Sequence, residues 1–317
     1  EAAGLIIGGL LFPDFPESPS FLKKGLKYLV KELKYQVYAD GSYIQHSFNY
    51  QRLVLDVLSF SIYILKLYNV DFPPGISAQH RKLFLFLNSF VQDDGVLPNY
   101  GSNDGANLFP VSGLDYRDYR SSLNFASGLI FSKCVYEKGA ELLDLFNFKI
   151  EKLKVDVAKK AVFDDGGYYI LKNKNVFLFT RCHSYKDRPH QNDMLHIDLW
   201  VKGKNIFCDT GTYSYNCDKQ VMNKFKGVQG HNLVSIGDVD PMKRVLNFGF
   251  SNWITSRLIK ISETEFIGEH FGYRREFGIT HRRRIVFNHN VIEVFDYIFN
   301  VKSEIRVNQN WITMYQV

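Results

Sequence analysis

Between residues 188 and 232 the chain reads RPHQNDMLHIDLWVKGKNIFCDTGTYSYNCDKQVMNKFKGVQGHN, a dense run of side chains that can move protons or hold a cation. His190, Asp193, Asp209, Tyr213, Tyr215 and His231 are the candidates, since imidazole, phenol and carboxylate are the usual acid–base groups and metal ligands. The residues around them are strand formers. Leu195, Ile197, Leu199 and Val201 alternate with His196, Asp198 and Trp200, the period-two pattern of a half-buried strand. Lys202-Gly203-Lys204-Asn205 reads as a turn, and Ile206-Phe207-Cys208 begins a return strand. The spacing predicts that the polar groups converge at one end of a sheet. Each also has a plainer reading. Asp209-Thr210-Gly211 suits a turn whose carboxylate bonds backbone amides, and a single histidine is commonly a satisfied structural residue.

The elements before this stretch are helical. Phe21, Leu22, Leu26, Leu29, Val30 and Leu33 recur at helical spacing with lysines opposite, and Ser18 or Ser20 can cap them. Further helices are predicted over residues 47–68, 77–90 and 120–136, separated by Asp40-Gly41, Pro73-Pro74-Gly75, Asp93-Asp94-Gly95 and the loop LPNYGSNDGANLFP at 97–110. Long helices with glycine-bearing loops suggest antiparallel hairpins whose loops line a cleft.

After residue 160 short alternating runs dominate. Asp164-Asp165-Gly166-Gly167 is a hairpin-type turn, and residues 232–236, 282–287 and 291–295 read as strands, with Asn288-His289-Asn290 as a turn. The fold class expected is α+β multidomain. Helical hairpins over 1–150 precede an antiparallel β-sandwich over 151–317, with a charged connector carrying Lys152, Lys154, Lys159 and Lys160. Arg282-Arg283-Arg284 reads as a solvated strand face.

Composition narrows the function classes. The 317 residues are 45% hydrophobic and 15% aromatic, which fits a real core, and no run approaches a membrane span. Residues 5–12 (LIIGGLLF) are too short to span and lack the basic flank of a secretion signal, so they read as a packing segment. The net charge of +6 is mixed with carboxylates rather than gathered in an arm, so nucleic acid is not expected as a partner. Four cysteines show no CxxC spacing, and Cys208 reads as buried. The chain starts without Met and stops within a strand-like pattern, so a longer parent protein is expected.

Three blocks carry a likeness: DGSYIQHSFNYQRLVLDVL at 40–58, DDGVLPNYGSNDGANLFP at 93–110, and the D-x-G-T-Y and G-H-N motifs of 188–232. With these the sequence resembles the heparinase II/III-like polysaccharide lyases. That resemblance implies an incomplete α/α toroid followed by an antiparallel β-sandwich, and β-elimination on a uronate-containing acidic polysaccharide. Such chemistry removes the C5 proton, stabilises the enolate and protonates the leaving oxygen at C4.

The likeness assigns Asn49 to holding the uronate carboxylate, with Tyr50 where relatives often have histidine. It assigns Tyr100 to acid–base transfer and His190 to the opposite wall, assisted by Tyr213 or Tyr215. Gln45, His46, Tyr50, Asn99, Asn103, Arg188 and His196 are implied as substrate-binding, with His196 the alternative to His190. Relatives often show H-x-H-x-D where this chain has His190-Gln191-Asn192-Asp193. One zinc-type histidine is therefore expected to be replaced by an amide, leaving Asp209 and His231 as metal candidates. No cofactor is implied for the reaction, and a structural zinc is the one metal in view. Family habit implies a periplasmic or secreted location.

Two other classes compete. A non-catalytic glycan-binding or capsule-assembly protein could use the same scaffold. A hydrolase needs paired carboxylates, for which Asp40, Asp93, Asp94 and Asp104 are available, but all lie near turn glycines.

Overall fold

In a computed structural model of the chain, every residue is described except 149, 150, 155, 160, 247, 248, 289, 290, 316 and 317 and the side chains of 151–154. His289 and Asn290, expected in a turn, and Lys160 therefore lie outside the described residues. The chain forms two compact units. One comprises Glu1–Ile44, Asn49–Leu97 and Gly105–Lys159, the other Gln45–Phe48, Pro98–Asp104 and Lys160–Val317.

The first unit is helical. α1 (Ala2–Leu11) and α2 (Ser18–Gln36) make a hairpin whose close approach requires Gly25, where a Cβ would lie 2.9 Å from the backbone nitrogen of Ile6. Leu29 and Leu33 bury the apolar stripe of α2, as its spacing predicts. Neither serine caps that helix. Glu17 holds the N-cap position, Ser18 is already helical, and its hydroxyl donates to the Phe12 carbonyl at 2.5 Å. α3 (Phe48–Leu67), α4 (Pro74–Phe90) and α5 (Arg120–Phe131) follow. α5 is shorter than expected because Ser132 turns left-handed, φ 57°. A short α6 (Glu141–Leu145) and a parallel pair, β1 (Lys133–Cys134) with β2 (Glu151–Lys154), complete this unit. Its core is apolar and aromatic, with Leu58, Ile62, Leu83, Phe84, Leu87 and Phe125 buried.

The second unit is built on antiparallel strands. β3 (Val162–Phe163), β4 (Tyr168–Lys172), β5 (Val176–Arg181), β6 (Ile197–Val201) and β7 (Lys204–Phe207) form a sheet in that order. The Asp164–Gly167 turn joins the first two, as expected. α7 (Lys219–Lys226) and a 3₁₀ turn (Val228–Gly230) lead to β8 (Val234–Ile236). β9 (Lys243–Leu246) and β10 (Gly249–Ser251) pair, and β11 (Ser256–Ile261), β12 (Glu265–His270), β13 (Thr280–Asn288) and β14 (Val291–Phe299) form a second sheet. α8 (Arg274–Phe277) links β12 to β13, and β15 (Val307–Gln309) returns to pair with β8. Tyr169, Leu171, Leu178, Ile197 and Leu199 of the first sheet share a core with Phe266, Ile285 and Phe287 of the second, which makes a β-sandwich.

Two local expectations need correction. β6 is buried on both faces rather than one, with Asp198 at 0% exposure. It lies between β5 and β7, and Asp198 accepts from Trp200 Nε1 at 2.6 Å and from the Asp209 amide at 3.3 Å, so its polar face is covered and satisfied. Arg283 is also fully buried, unlike the surface residues Arg282 and Arg284. Strand alternation puts it on the inner face with His281 and Ile285, where Asp296 pairs with it at 2.8 Å.

Candidate active site

The loop that carries Tyr100 packs into the sandwich unit, held by backbone and side-chain bonds at both ends. The Phe48 amide donates to the Tyr100 carbonyl at 3.3 Å, and Thr212 Oγ1 donates to the Gly101 carbonyl at 3.1 Å and accepts from the Asn103 amide at 3.0 Å. Gly101 has φ +88°, and a Cβ there would meet the His46 carbonyl at 2.5 Å, so only glycine serves in this turn. Asn99 lies against Gly211 of the D-x-G-T-Y segment, close enough that a Cβ on that glycine would strike its amide.

These contacts aim the Tyr100 ring at a buried polar cluster. Its hydroxyl donates to Asp193 Oδ2, and Tyr185 donates to the other carboxylate oxygen at 2.9 Å. Gln191 Nε2 donates at 3.1 Å, and the Arg181 guanidinium lies 3.9 Å from Asp193. Burial alone would raise the Asp193 pKa, but Arg181 and the neighbouring imidazoles overcome it and hold the carboxyl at about 2. Burial, the largest influence, pushes the Tyr100 phenol well above its ordinary range, so it is protonated at neutral pH.

His190 meets Tyr100 edge-on, ring centroids 6.4 Å apart. Burial chiefly lowers its pKa to about 4, so the imidazole is neutral at pH 7. Neither ring nitrogen has a hydrogen-bond partner among the described residues. His46, at φ 48°, packs against His183 (4.8 Å) and Tyr185 (5.3 Å).

His190 rather than His196 thus stands beside Tyr100. His196 belongs to a separate buried group with Asp209 and His231 whose ligand atoms lie within 4.8 Å of one another. The Asn232 amide donates to His196 Nδ1 at 3.0 Å, which turns Nε2 towards Asp209 Oδ2, 3.7 Å away. His231 Nδ1 is 2.9 Å from the same oxygen, and burial is outweighed by Asp209 so that the His231 pKa is raised. The Nε2 atoms of His196 and His231 are buried without a hydrogen-bond partner among the described residues. Two imidazoles and a carboxylate fit zinc. Asn192, one of the amides that replace the zinc-type histidine, is occupied with Met242 (2.8 and 3.1 Å) and Gln191 with Asp193, while His196 stands with Asp209 and His231 as a residue that could hold a metal.

The remaining candidates divide. Tyr213 is 71% exposed and stacks on Phe225, Tyr215 is half-buried with Lys226 Nζ 5.8 Å from its ring centre, and Gln45 is half-buried. Arg188 is exposed with φ 40°. Asn49 sits in the helical unit at the start of α3. Its Oδ1 accepts from Arg52 at 2.9 Å and Tyr116 at 2.7 Å, which makes Nδ2 the donor end. Tyr50, next on α3, is half-buried. Sequence reasoning missed Arg181, His183 and Tyr185. The available signal was an arginine ending the apolar strand VFLFTR, too long a cation to bury without a carboxylate.

A helical unit and a β-sandwich unit that holds a Tyr–His–Arg–Asp cluster place the chain in the α+β class. Family models for the heparinase II/III N-terminus and the heparinase II/III-like C-terminal region match residues 1–110 and 156–308, and the chain belongs to the heparinase II/III family. It is 24% identical over 245 residues to a heparin-sulfate lyase of Bacteroides stercoris and 22% identical to that of Pedobacter heparinus, covering 75% and 74% of this chain. The chain spans 35% of the length of each of these relatives. A heparinase III structure matches all of the chain and 47% of its own length, TM-score 0.75, 19% identity. A heparan sulfate lyase structure from Pedobacter heparinus covers 93% of this chain and 44% of its own length, with TM-score 0.62 and 20% identity. Both show the shared α+β fold. Among the described residues no helix is long and apolar enough to cross a membrane.

Proposed function

We propose that the protein is a polysaccharide lyase that cleaves a uronate-containing acidic polysaccharide by β-elimination. The observation that carries this is the Tyr100–His190 pair, whose environments push their pKa values in opposite functional directions. A neutral imidazole at pH 7 can accept the C5 proton. A phenol held protonated can supply a proton to the departing C4 oxygen, once its hydroxyl exchanges Asp193 for that acceptor. Arg181 keeps Asp193 ionised beside it, so the phenol does not lose its proton to a stronger base nearby. The family resemblance assigns Asn49 to the uronate carboxylate, where charge grows as the enolate forms, and its Nδ2 is the donor end that such a role needs. The relatives named heparin-sulfate lyase support the same class.

The His196–Asp209–His231 group takes no part in the proton transfers. It would hold a structural zinc, which when bound ties together the segments around β6, β7 and β8. A periplasmic or secreted location is part of the same proposal, by family habit.

The test is incubation of the protein with heparan sulfate, alginate and other uronate polymers while ultraviolet absorbance of the unsaturated uronate is followed. Growth of that band is the expected result. Binding of a polymer without the band would leave a glycan-binding protein, and new reducing ends without it would mean hydrolysis.

A further inference from the structure

One buried arginine of the helical unit has no carboxylate within ion-pair distance among the described residues. Arg52 lies one turn into α3 and is 2% exposed. Its donors go to neutral oxygens: Nη1 to the Tyr116 carbonyl at 2.6 Å, and Nη2 to the Ala106 carbonyl at 3.2 Å and to Asn49 Oδ1 at 2.9 Å. The rings of Tyr116 and Tyr119 lie 4.6 and 4.5 Å from its guanidinium carbon, and Nε is buried without a partner among the described residues. Asp56, one turn further along α3, does not neutralise it. Burial, against the Ser122 hydroxyl and Arg52, pushes that carboxyl up to about 7, and its Oδ1 takes no hydrogen bond among the described residues. A buried cation without an ionised partner is costly, so its presence calls for a use.

The bond to Asn49 supplies one. A guanidinium only donates, so the amide must present its oxygen to Arg52. The Tyr116 hydroxyl, 2.7 Å from the same oxygen, can give or accept a hydrogen bond and would suit either face of the amide. Arg52 is therefore the partner that decides which end of Asn49 is the donor end. We propose that Arg52 is the positioning residue behind Asn49, locking the amide with Nδ2 as the end given to the uronate carboxylate and lending that amide a positive charge. The proposal rests on the reading of Asn49 as the residue that takes this carboxylate. A cation bonded to an amide oxygen polarises the amide and strengthens its N–H groups as donors. Being fixed in place, it also needs no reorganisation as charge grows on the carboxylate. The plainer role, a clamp on the Ala106 and Tyr116 carbonyls, would be met by a neutral donor and does not account for the bond to Asn49.

The experiment is calorimetric titration of the whole chain with an unsaturated uronate–hexosamine disaccharide, an end product that is not consumed, and with the same sugar whose carboxyl is reduced to the alcohol. Wild type, Arg52→Met, Asn49→Ala and the double variant are compared. The expected result is that wild type prefers the acid form, and that each single variant loses about tenfold of that preference, the scale of one hydrogen bond to a charged group. The double variant loses no more than Asn49→Ala, because Arg52 acts through that amide. A purely structural arginine would instead weaken both sugars alike and add its loss to that of Asn49→Ala. If Arg52→Met does not fold by circular dichroism, Arg52→Lys takes its place with the same expectation, since it keeps a cation but not the fork that reaches Asn49 and two carbonyls together. The proposal is overturned if a folded Arg52 variant keeps the wild-type preference, if its loss adds to that of Asn49→Ala, or if wild type binds the two sugars alike. A preference that depends on Arg52, with no elimination on any polymer, would remove the lyase reading alone. Elimination with a preference that Arg52 does not affect would remove only the positioning role.

Discussion

At the scale of single residues, the assignment turns on which histidine stands beside the tyrosine. His190 faces the Tyr100 ring, whereas His196 is held by Asn232 and directed at Asp209. Tyr100→Phe removes the transferable proton and keeps the ring that packs on Phe48 and Phe179. Its kcat is expected to fall about 10²–10⁴-fold, as for loss of one positioned acid or base, with His190→Ala in the same range. His196→Ala should leave kcat within a few-fold and lower thermal stability instead. Steady-state kinetics on a cleaved polymer with parallel melting curves check this, and turnover that survives in Tyr100→Phe but disappears in His196→Ala would reverse the assignment. His190 could be singled out in the sequence as a candidate. Arg181 could not, because its importance lies in a carboxylate twelve residues away that folding places beside it.

At the scale of elements, the His196–Asp209–His231 group joins the approach to β6, the turn after β7 and the segment before β8. Without metal these side chains make a buried ion pair around Asp209, with His231 favoured in its charged form. Zinc would displace that proton and replace the pair with coordination. Equilibrium dialysis against Zn²⁺ is expected to give about one ion per chain, and chelation to lower the melting temperature; both should vanish in His231→Ala. Metal retained by that variant would place the ion elsewhere. The missing histidine of the H-x-H-x-D pattern had pointed away from such a site. The three-dimensional group brings in a third candidate, His196, from the residue just before a strand, a position that linear motif spacing does not weigh.

At the scale of the whole molecule, buried neutral histidines make the fold sensitive to acid. His46, His183, His190, His270 and His281 in the sandwich unit and His80 in the helical unit are all buried, and burial, the main cause, lowers each pKa. The unfolded chain protonates them near pH 6.5, while folded His190 does so only at about 4 and His183 and His80 at about 3. Stability is therefore full above about pH 6.5 and falls as the pH drops, by about 1.4 kcal/mol per pH unit for each such histidine. Asp193, depressed to about 2, adds its loss only below about pH 4, the unfolded carboxylate range. Circular dichroism against pH should show unfolding between about pH 6 and 4; a midpoint near 3 would mean that the carboxylates alone govern it.

The sequence by itself determined the two regimes of structure. Period 3.6 gives way to period 2 after residue 160, because side-chain patterning reports which face of each element must leave water. The residue types of 188–232 also offered His190, Asp209 and His231 as candidates beside their plainer structural readings, and the family resemblance added Asn49 and Tyr100. Tertiary structure alone decided which of them meet. Whether a polar strand residue faces solvent or a second layer depends on what other segments lie over it. That is why the alternation in β6 and β13 located the faces but not the burial of Asp198 and Arg283. The contact of Tyr100 with Asp193 and His190 likewise depends on long-range bonds through Thr212 and Phe48, which no local pattern encodes.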